Sequence, residues 1–482
     1  VSRAAPTARF LPAALAALAA LALQLLVPGG LPAAGPALST LSTLSTDEGY
    51  GLLRRMLSET AAERRAAARR LIEAGDASLV PGLVDVLFFL PRNRRAEALS
   101  ALAALTGERP GERYHDWVDL LSRREDLKAK EGYVGFKAEL FSRIDPRYRQ
   151  ILDPGAPVRL RLEEVVFGGV PVEGIPALDR PAHVPAAEAK YLAGSERVFG
   201  VSAGGAQRAY PLRILDWHEM LNDVVGGEPV TLSYCTLCGS GVLYATRNPS
   251  GEPHTFGTSG LLYRSNKLML DRQTLTLWNN LTGEPAVGRL ARDPAPLPVL
   301  PLTVTTWDEW RARHPETTVL ALDTALGRRW GFDYQPGAAD RRRAGVSFPA
   351  GPKSGALDPK AEVYAVRLGG LAKAYAIERV LAEKVVNDRL GGPGGESLVV
   401  VGDPASGAVR AYRRGELRFE PGAGPRELID EAGRLWTVGE DALLPHGDGA
   451  PAALPRVPGH QAFWFGWFSF FPRSELYGGA PR

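Results

Sequence analysis

Residues 198–227 return at 363–392, displaced by a constant 165 positions. Gly204-Gly205 recurs as Gly369-Gly370, Ala209-Tyr210 as Ala374-Tyr375, Asn222-Asp223 as Asn387-Asp388, and Gly226-Gly227 as Gly391-Gly392. A repeat of this length constrains the fold more than any single motif, because one supersecondary unit must serve twice. Each copy reads as strand, Gly-Gly turn, strand, amphipathic helix, Gly-Gly turn, strand. The first Gly-Gly is a hairpin signal. The second follows the helix, where a left-handed closing residue is needed. Further on, Asp271 to Trp278 resembles Asp430 to Trp436, and Trp307, Trp310 and Pro315 match Trp464, Trp467 and Pro472. The expected fold is α+β, mostly β. Two tandem strand-strand-helix-strand units, the first in 156–325 and a degenerate second in 326–482, form one pseudo-symmetric body.

The copies differ where soft or nitrogen donors stand. His218 aligns with Glu383, Cys235 with Val401, Cys238 with Pro404 and Met269 with Leu428. Cys235 and Cys238 are the only cysteines, in Tyr234-Cys235-Thr236-Leu237-Cys238-Gly239. Three readings of this pair stand side by side. A disulfide closing so short a loop stabilises little. A thioredoxin-like redox pair would normally open a helix, whereas Gly239-Ser240-Gly241 looks like a turn into a strand. The third is a metal site with His218, Cys235, Cys238 and, more weakly, Met269 as ligands. Two thiolates and an imidazole suit zinc, copper or iron; the thioether favours copper.

Each neighbour has a plain structural reading too. His218 shares a helix face with Ile214, Leu221 and Val225, so it is a core histidine or a ligand. Asp271 and Arg272 are a surface ion pair, or a catalytic anion-orienting arginine with its carboxylate. Glu219 is solvent-facing or an outer acceptor for His218. His254, in a loop before Phe256-Gly257, is a weaker ligand candidate than His218, and Ser259, Gly260 and Tyr263 are pocket candidates. No phosphate-binding Gly-rich loop, Gly-x-Ser-x-Gly elbow or His-Glu-x-x-His helix occurs.

At 482 residues the chain exceeds one ordinary core. A net charge of +3, without a basic stripe, argues against nucleic-acid binding. Residues 1–37 read as a secretory signal peptide or a retained anchor: Arg3 and Arg9, then the uncharged run Phe10 to Val27, then small residues. The body is therefore expected in the periplasm or secreted, touching the membrane only if that segment is kept. Apolar residues at helical spacing predict a small all-α, HEAT-like module over 47–130. It is a surface for a protein partner or a helical cap on the main body.

The combination Ala209-Tyr210-Pro211-Leu212-Arg213-Ile214-Leu215, Trp217-His218-Glu219, Asn222-Asp223, the Cys235 motif, Phe256-Gly257-Thr258-Ser259-Gly260-Leu261-Leu262-Tyr263 and Met269-Leu270-Asp271-Arg272-Gln273-Thr274 resembles the bacterial domain-of-unknown-function family numbered 3179. The resemblance is strong from Pro176 to Leu322 and weaker to Phe463-Trp464-Phe465-Gly466-Trp467. It implies an exported or membrane-anchored protein and no established activity. The family pattern has Pro where this chain has Thr236 and Val where it has Thr258; neither change removes a donor. Three functions follow as expectations: a metal centre, a dithiol oxidoreductase, and a binding scaffold using the aromatic run Phe463 to Trp467.

Overall fold

Helices come first because residues 46–151 lack the alternation of strands and carry strong end signals. The computed structural model describes residues 44–247, 252–338 and 345–479. Residues 1–37, and with them the signal or anchor, lie outside that set. Ser45 caps the first helix, Thr46–Arg55, through a reciprocal pair: Glu48 N to Ser45 Oγ at 3.3 Å and Ser45 N to Glu48 Oε2 at 3.0 Å. Six further α-helices follow, ending at Tyr148–Ile151, beyond the expected boundary at 130. No helix among the described residues is long and apolar enough to cross a membrane.

The helical region is a cap fixed on the sheets. Leu53, Leu83, Leu87, Phe136 and Phe141 share one buried cluster with Leu261, Leu262, Tyr263, Leu268 and Leu270. Those last five lie on the hairpin of strands Phe256–Tyr263 and Asn266–Asp271. Within the cap, Lys137 Nζ meets Asp85 Oδ1 at 2.9 Å, both buried, and Tyr133 donates to Asp85 at 2.7 Å. The apolar face of the helical region is thus buried on the chain's own hairpin. Residues Thr43–Arg482 form one compact unit.

The rest is mostly antiparallel sheet with short helices. Strands Thr303–Thr306, Arg197–Ala203, Ala206–Pro211 and Thr318–Leu320 run side by side, with His183–Pro185 at the edge. Strands Gly459–Phe463, Glu362–Leu368, Leu371–Ala376 and Glu475–Leu476 take the same order in the C-terminal half. A second sheet orders Val299–Leu300, Ser240–Ala245, Glu228–Cys235 and Met220–Val225, with Leu178–Asp179 at its edge. Strands Val385–Leu390, Glu396–Asp403, Ala408–Arg413 and Leu454–Val457 adjoin in the corresponding order. Matching residues make matching bonds. Tyr210 donates to Asp223 at 2.7 Å, and Tyr375 to Asp388 at 2.9 Å. Asn222 brackets both backbone groups of Phe256, as Asn387 does for Phe419.

Two details differ from the sequence expectation. Both Gly-Gly pairs of each half are hairpin turns, with φ of 57° and 81° at Gly226 and Gly227. The left-handed residue closing the helices Leu212–His218 and Ile377–Glu383 is instead Glu219 (φ 58°) or Lys384 (φ 62°). The turn after Leu390 also runs from Gly391 to Gly395, three residues longer than Gly226-Gly227. The register beyond it shifts accordingly. Tyr234 N bonds Glu219 O and Gly402 N bonds Lys384 O, each at 2.8 Å. The counterparts of Cys235 and Cys238 are therefore Asp403 and Ser406, not Val401 and Pro404.

Candidate functional site

Cys235 ends the strand Glu228–Cys235, and Cys238 closes the turn back into Ser240–Ala245. Cys238 N donates to Cys235 O at 3.2 Å, and Gly239 reverses the chain at φ 57°. Both thiols are free and buried, 1% and 0% exposed. Cys238 Sγ lies 3.1 Å from Ser265 O, and Cys235 Sγ lies 3.9 Å from the same oxygen. The two sulfurs thus converge on one carbonyl.

That carbonyl is held by a strained turn. Arg264 and Ser265 join the two hairpin strands at φ of 51° and 63°, a conformation that costs about 1 kcal/mol or more per non-glycine residue. Side chains hold it there. Arg264 bonds Glu164 at 2.8 Å and Ser469 O at 2.6 Å, while Ser265 Oγ donates to Phe348 O at 2.8 Å. Ala350, Phe463 and Phe465 close over the sulfurs. Gly466 packs tightly beside them: a Cβ there would sit 3.0 Å from Cys238 Cβ.

A buried cation stands next to the pair. Lys267, 4% exposed, donates to the carbonyls of Glu219 and Tyr234 and lies 3.6 Å from the Glu219 carboxylate. Thr236 Oγ1 donates to that carboxylate at 3.2 Å. Lys360 caps Leu237 O at 3.0 Å and lies 4.2 Å from the centre of the Phe463 ring. These surroundings split the two thiols. Burial pushes Cys235 up, but the Cys238 hydrogen bond, the Lys267 charge and the Lys267 backbone bring it below its ordinary value. Burial and the donation toward Cys235 push Cys238 well above its own. Lys267 is itself lowered by burial, against the pull of Glu219 and Cys235.

The other expected ligands go elsewhere. His218 Nδ1 donates to Pro176 O at 2.8 Å, and its Nε2 accepts from Tyr334 at 2.5 Å. Both ring nitrogens are therefore occupied, and burial holds the imidazole below its usual value and neutral. Phe332 packs edge-on against it. Met269 sits in an apolar cluster with Met220, Phe256 and Trp278. Among the described residues no group of three or more His, Cys, Asp or Glu is arranged to hold a metal ion. The structure joins the two sulfurs and leaves His218 and Met269 as core residues.

Asp271 and Arg272 lie at the far end of the strand from Lys267, roughly 13 Å along it. Asp271 is buried and accepts from Thr274 at 2.7 Å and from Gln273 N at 2.9 Å. His254 Nδ1 approaches it to 3.2 Å at an angle short of a hydrogen bond. Arg272 bonds Glu173, and Asp179 at 2.8 Å. Neither residue serves the cysteines. Ser259 bonds Leu268 O at 2.6 Å, and Tyr263 packs on Phe470. The aromatic run is sealed in as well: Phe463 and Trp464 are 1% and Trp467 0% exposed, which removes it as a binding surface. Sequence reasoning missed Lys267, Ser265 and Lys360. Only Lys267, a lysine inside an apolar strand, carried a signal of its own.

The profile of a family described as a protein of unknown function, DUF3179, matches residues 172–474. No curated protein and no solved structure matches the chain.

Proposed function

The chain belongs to the DUF3179 family, and we propose that its functional centre is a redox-active dithiol made by Cys235 and Cys238. The observation that carries this reading is the convergence of both sulfurs on Ser265 O beside the buried ammonium of Lys267. Opposed acidities divide the labour: Cys235 is the thiolate and Cys238 the proton-bearing partner.

With a disulfide compound as oxidant, the Cys235 thiolate attacks one substrate sulfur. The substrate S–S bond breaks, and the first thiolate leaves and takes a proton from solvent. Cys238 then loses its proton and attacks Cys235 Sγ. The mixed disulfide breaks, and the second substrate sulfur leaves with that proton. The protein pair gives up two electrons, and one disulfide becomes two thiols. Lys267 stabilises the Cys235 thiolate before the first attack, and Lys360 is the cation that favours the Cys238 thiolate before the second. The cover of Ala350, Phe463 and Phe465 admits substrate only when it shifts, so exchange is slow and selective. Export, expected from residues 1–37, puts the pair in a compartment where disulfides persist. In this reading residues 362–476 are a degenerate copy of the first unit, with the dithiol replaced by Asp403 and Ser406.

The test is a Cys238→Ser variant treated with a small aromatic disulfide. A mixed disulfide on Cys235 supports the reading; an unmodified Cys235 in the folded protein, even after long incubation, counts against it.

A second reading has one observation in its favour: two sulfurs buried together under Ala350, Phe463 and Phe465. Two thiolates suit monovalent copper, the softest of the expected ions. They fall short of the three or four ligands that zinc centres use. The cysteines would hold the ion between them, and the ion would supply one-electron chemistry. Elemental analysis of chelator-free protein decides, with copper at one per chain expected and its loss in Cys235→Ser.

A further inference from the structure

The two sheets leave matched strand ends with different side chains. Arg414 N donates to Ser397 O and Leu417 N returns to Arg414 O, both at 3.1 Å. In the N-terminal half, Thr246 N donates to Pro229 O at 3.0 Å and His254 N returns to Thr246 O at 2.9 Å. Thr246 therefore stands where Arg414 stands.

Arg414 is 5% exposed, its guanidinium turned inward onto backbone. Nε donates to Leu398 O at 3.1 Å, Nη1 to Leu417 O at 2.7 Å and to Gly415 O at 3.3 Å, and Nη2 reaches Asp388 O at 3.5 Å. The short Thr246 side chain cannot fill the equivalent volume, and a cavity of about 360 Å³ opens there. Its walls include Asp223, Val230, Thr246 and His254, in register with Asp388, Leu398, Arg414 and Leu417.

We infer that this cavity binds a small molecule through a guanidinium or ammonium group, seated where the Arg414 guanidinium sits in the C-terminal half. The groups that seat the Arg414 guanidinium are backbone carbonyls, which only accept hydrogen bonds, so a ligand taking its place is a donor, and a charge-assisted donor binds most strongly. The volume is at the lower end for small-molecule sites. The side chains on the wall offer less to an anion than their number suggests. Arg272 is already met by Glu173 and Asp179, which leaves exposed Arg180. Asp223 is met by Arg208 and Tyr210. The cavity lies at the Asp271 end of the strand Asn266–Asp271, so its ligand is independent of the thiol chemistry.

Calorimetric titration of the whole chain with methylguanidinium and agmatine, and with acetate and phosphate at equal ionic strength, tests this. The cations are expected to saturate at one per chain, and the anions to give no saturable signal. Thr246→Arg fills the space as the C-terminal half does and should weaken cation binding at least tenfold. Thr246→Gln, a smaller plug, should weaken it in the same direction if the arginine variant misfolds. The reciprocal Arg414→Thr should open the second cavity and raise the stoichiometry to two. Absence of saturable cation binding, saturation by the anions instead, or unchanged affinity in a folded Thr246 variant overturns the inference.

Discussion

The turn at Cys235–Cys238 and the turn at Asp403–Ser406 join corresponding strands with loops of equal length and carry different chemistry. In the C-terminal half, Ser406 Oγ donates to Asp403 at 2.6 Å and Ala405 N donates to it at 3.0 Å, so side chains tie the turn. In the N-terminal half Cys238 leans on Cys235 in the place of Ser406 on Asp403, and both sulfurs face inward to Ser265 O. The covering elements differ too. The N-terminal hairpin runs long, through Tyr263 to Asn266, and carries Ser265 and Lys267 over the thiols. Its counterpart is short, Phe419–Pro421 joined to Glu427–Asp430, and leaves a cavity of about 360 Å³ beside Lys384 and Asp403. Two corresponding strand orders thus carry a covered turn with two thiols and an open turn with Asp403 and Ser406. What distinguishes them is the length of a hairpin, not the core.

The largest effect should come from the shared scaffold. Asn222 makes four hydrogen bonds to Asp179, Thr231 and Phe256, against two to Phe419 for Asn387. Asn222→Ala should cost about 3 kcal/mol and Asn387→Ala about 2 kcal/mol, read from denaturant midpoints. The reverse order would mean that the N-terminal half is the looser one.

Next comes pH. Burial lowers His218, and lowers His460 to about 3, both under the unfolded value of about 6.5. Below that value the unfolded chain binds more protons, so stability is full above it and falls as pH drops. His460 contributes a slope of up to about 1.4 kcal/mol per pH unit, or about 2 kcal/mol between pH 6.5 and 5, and His218 acts in the same direction. His218→Gln and His460→Gln should each flatten the acid limb of a stability–pH curve. An unchanged limb in both variants refutes the assignment.

A smaller change is expected at the thiols. Lys267→Met removes the cation beside Cys235, and one unit of pKa rise is about 1.4 kcal/mol. Alkylation of Cys235 near neutral pH should slow about tenfold in Cys238→Ser, while the fold, followed by circular dichroism, is kept. Equal rates would show that Lys267 is only a packing residue. The smallest difference concerns the left-handed positions. Lys384→Gly should stabilise by about 1 kcal/mol through relief of strain. Glu219→Gly should gain less, because its carboxylate also positions Lys267 and Thr236. A larger gain at Glu219 would dissolve the contrast between the two turns.

The turns, tyrosines and tryptophans that repeat along the chain were legible because short-range chemistry fixes them. The first Gly-Gly of each half read as the hairpin it is, whereas the second, read as a helix closure, is a hairpin as well. The cysteine turn was legible as a pair. Its partners were not, because they arrive from far along the chain. Ser265 comes from the hairpin tip, and Phe463 and Phe465 come from the C-terminal segment. The two readings of His218, core residue or ligand, stayed open for the same reason: Tyr334, which meets its Nε2, lies 116 residues away. The three extra residues of Gly391–Gly395 misled the comparison of the halves, since a glycine-rich turn lengthens without changing its composition. Helix ends at Glu219 and Lys384 escaped because non-glycine residues hold the left-handed position there.

The central claim is that Cys235 and Cys238 exchange electrons as a pair. The most direct measurement equilibrates the whole chain across a glutathione redox series and counts free thiols with mass analysis. The account predicts a single two-electron transition within that series: two thiols and two hydrogens lost together, and neither lost in Cys235→Ser/Cys238→Ser. Two thiols that stay reduced at the most oxidising end, or a disulfide that no reducing step of the series reopens, would contradict it.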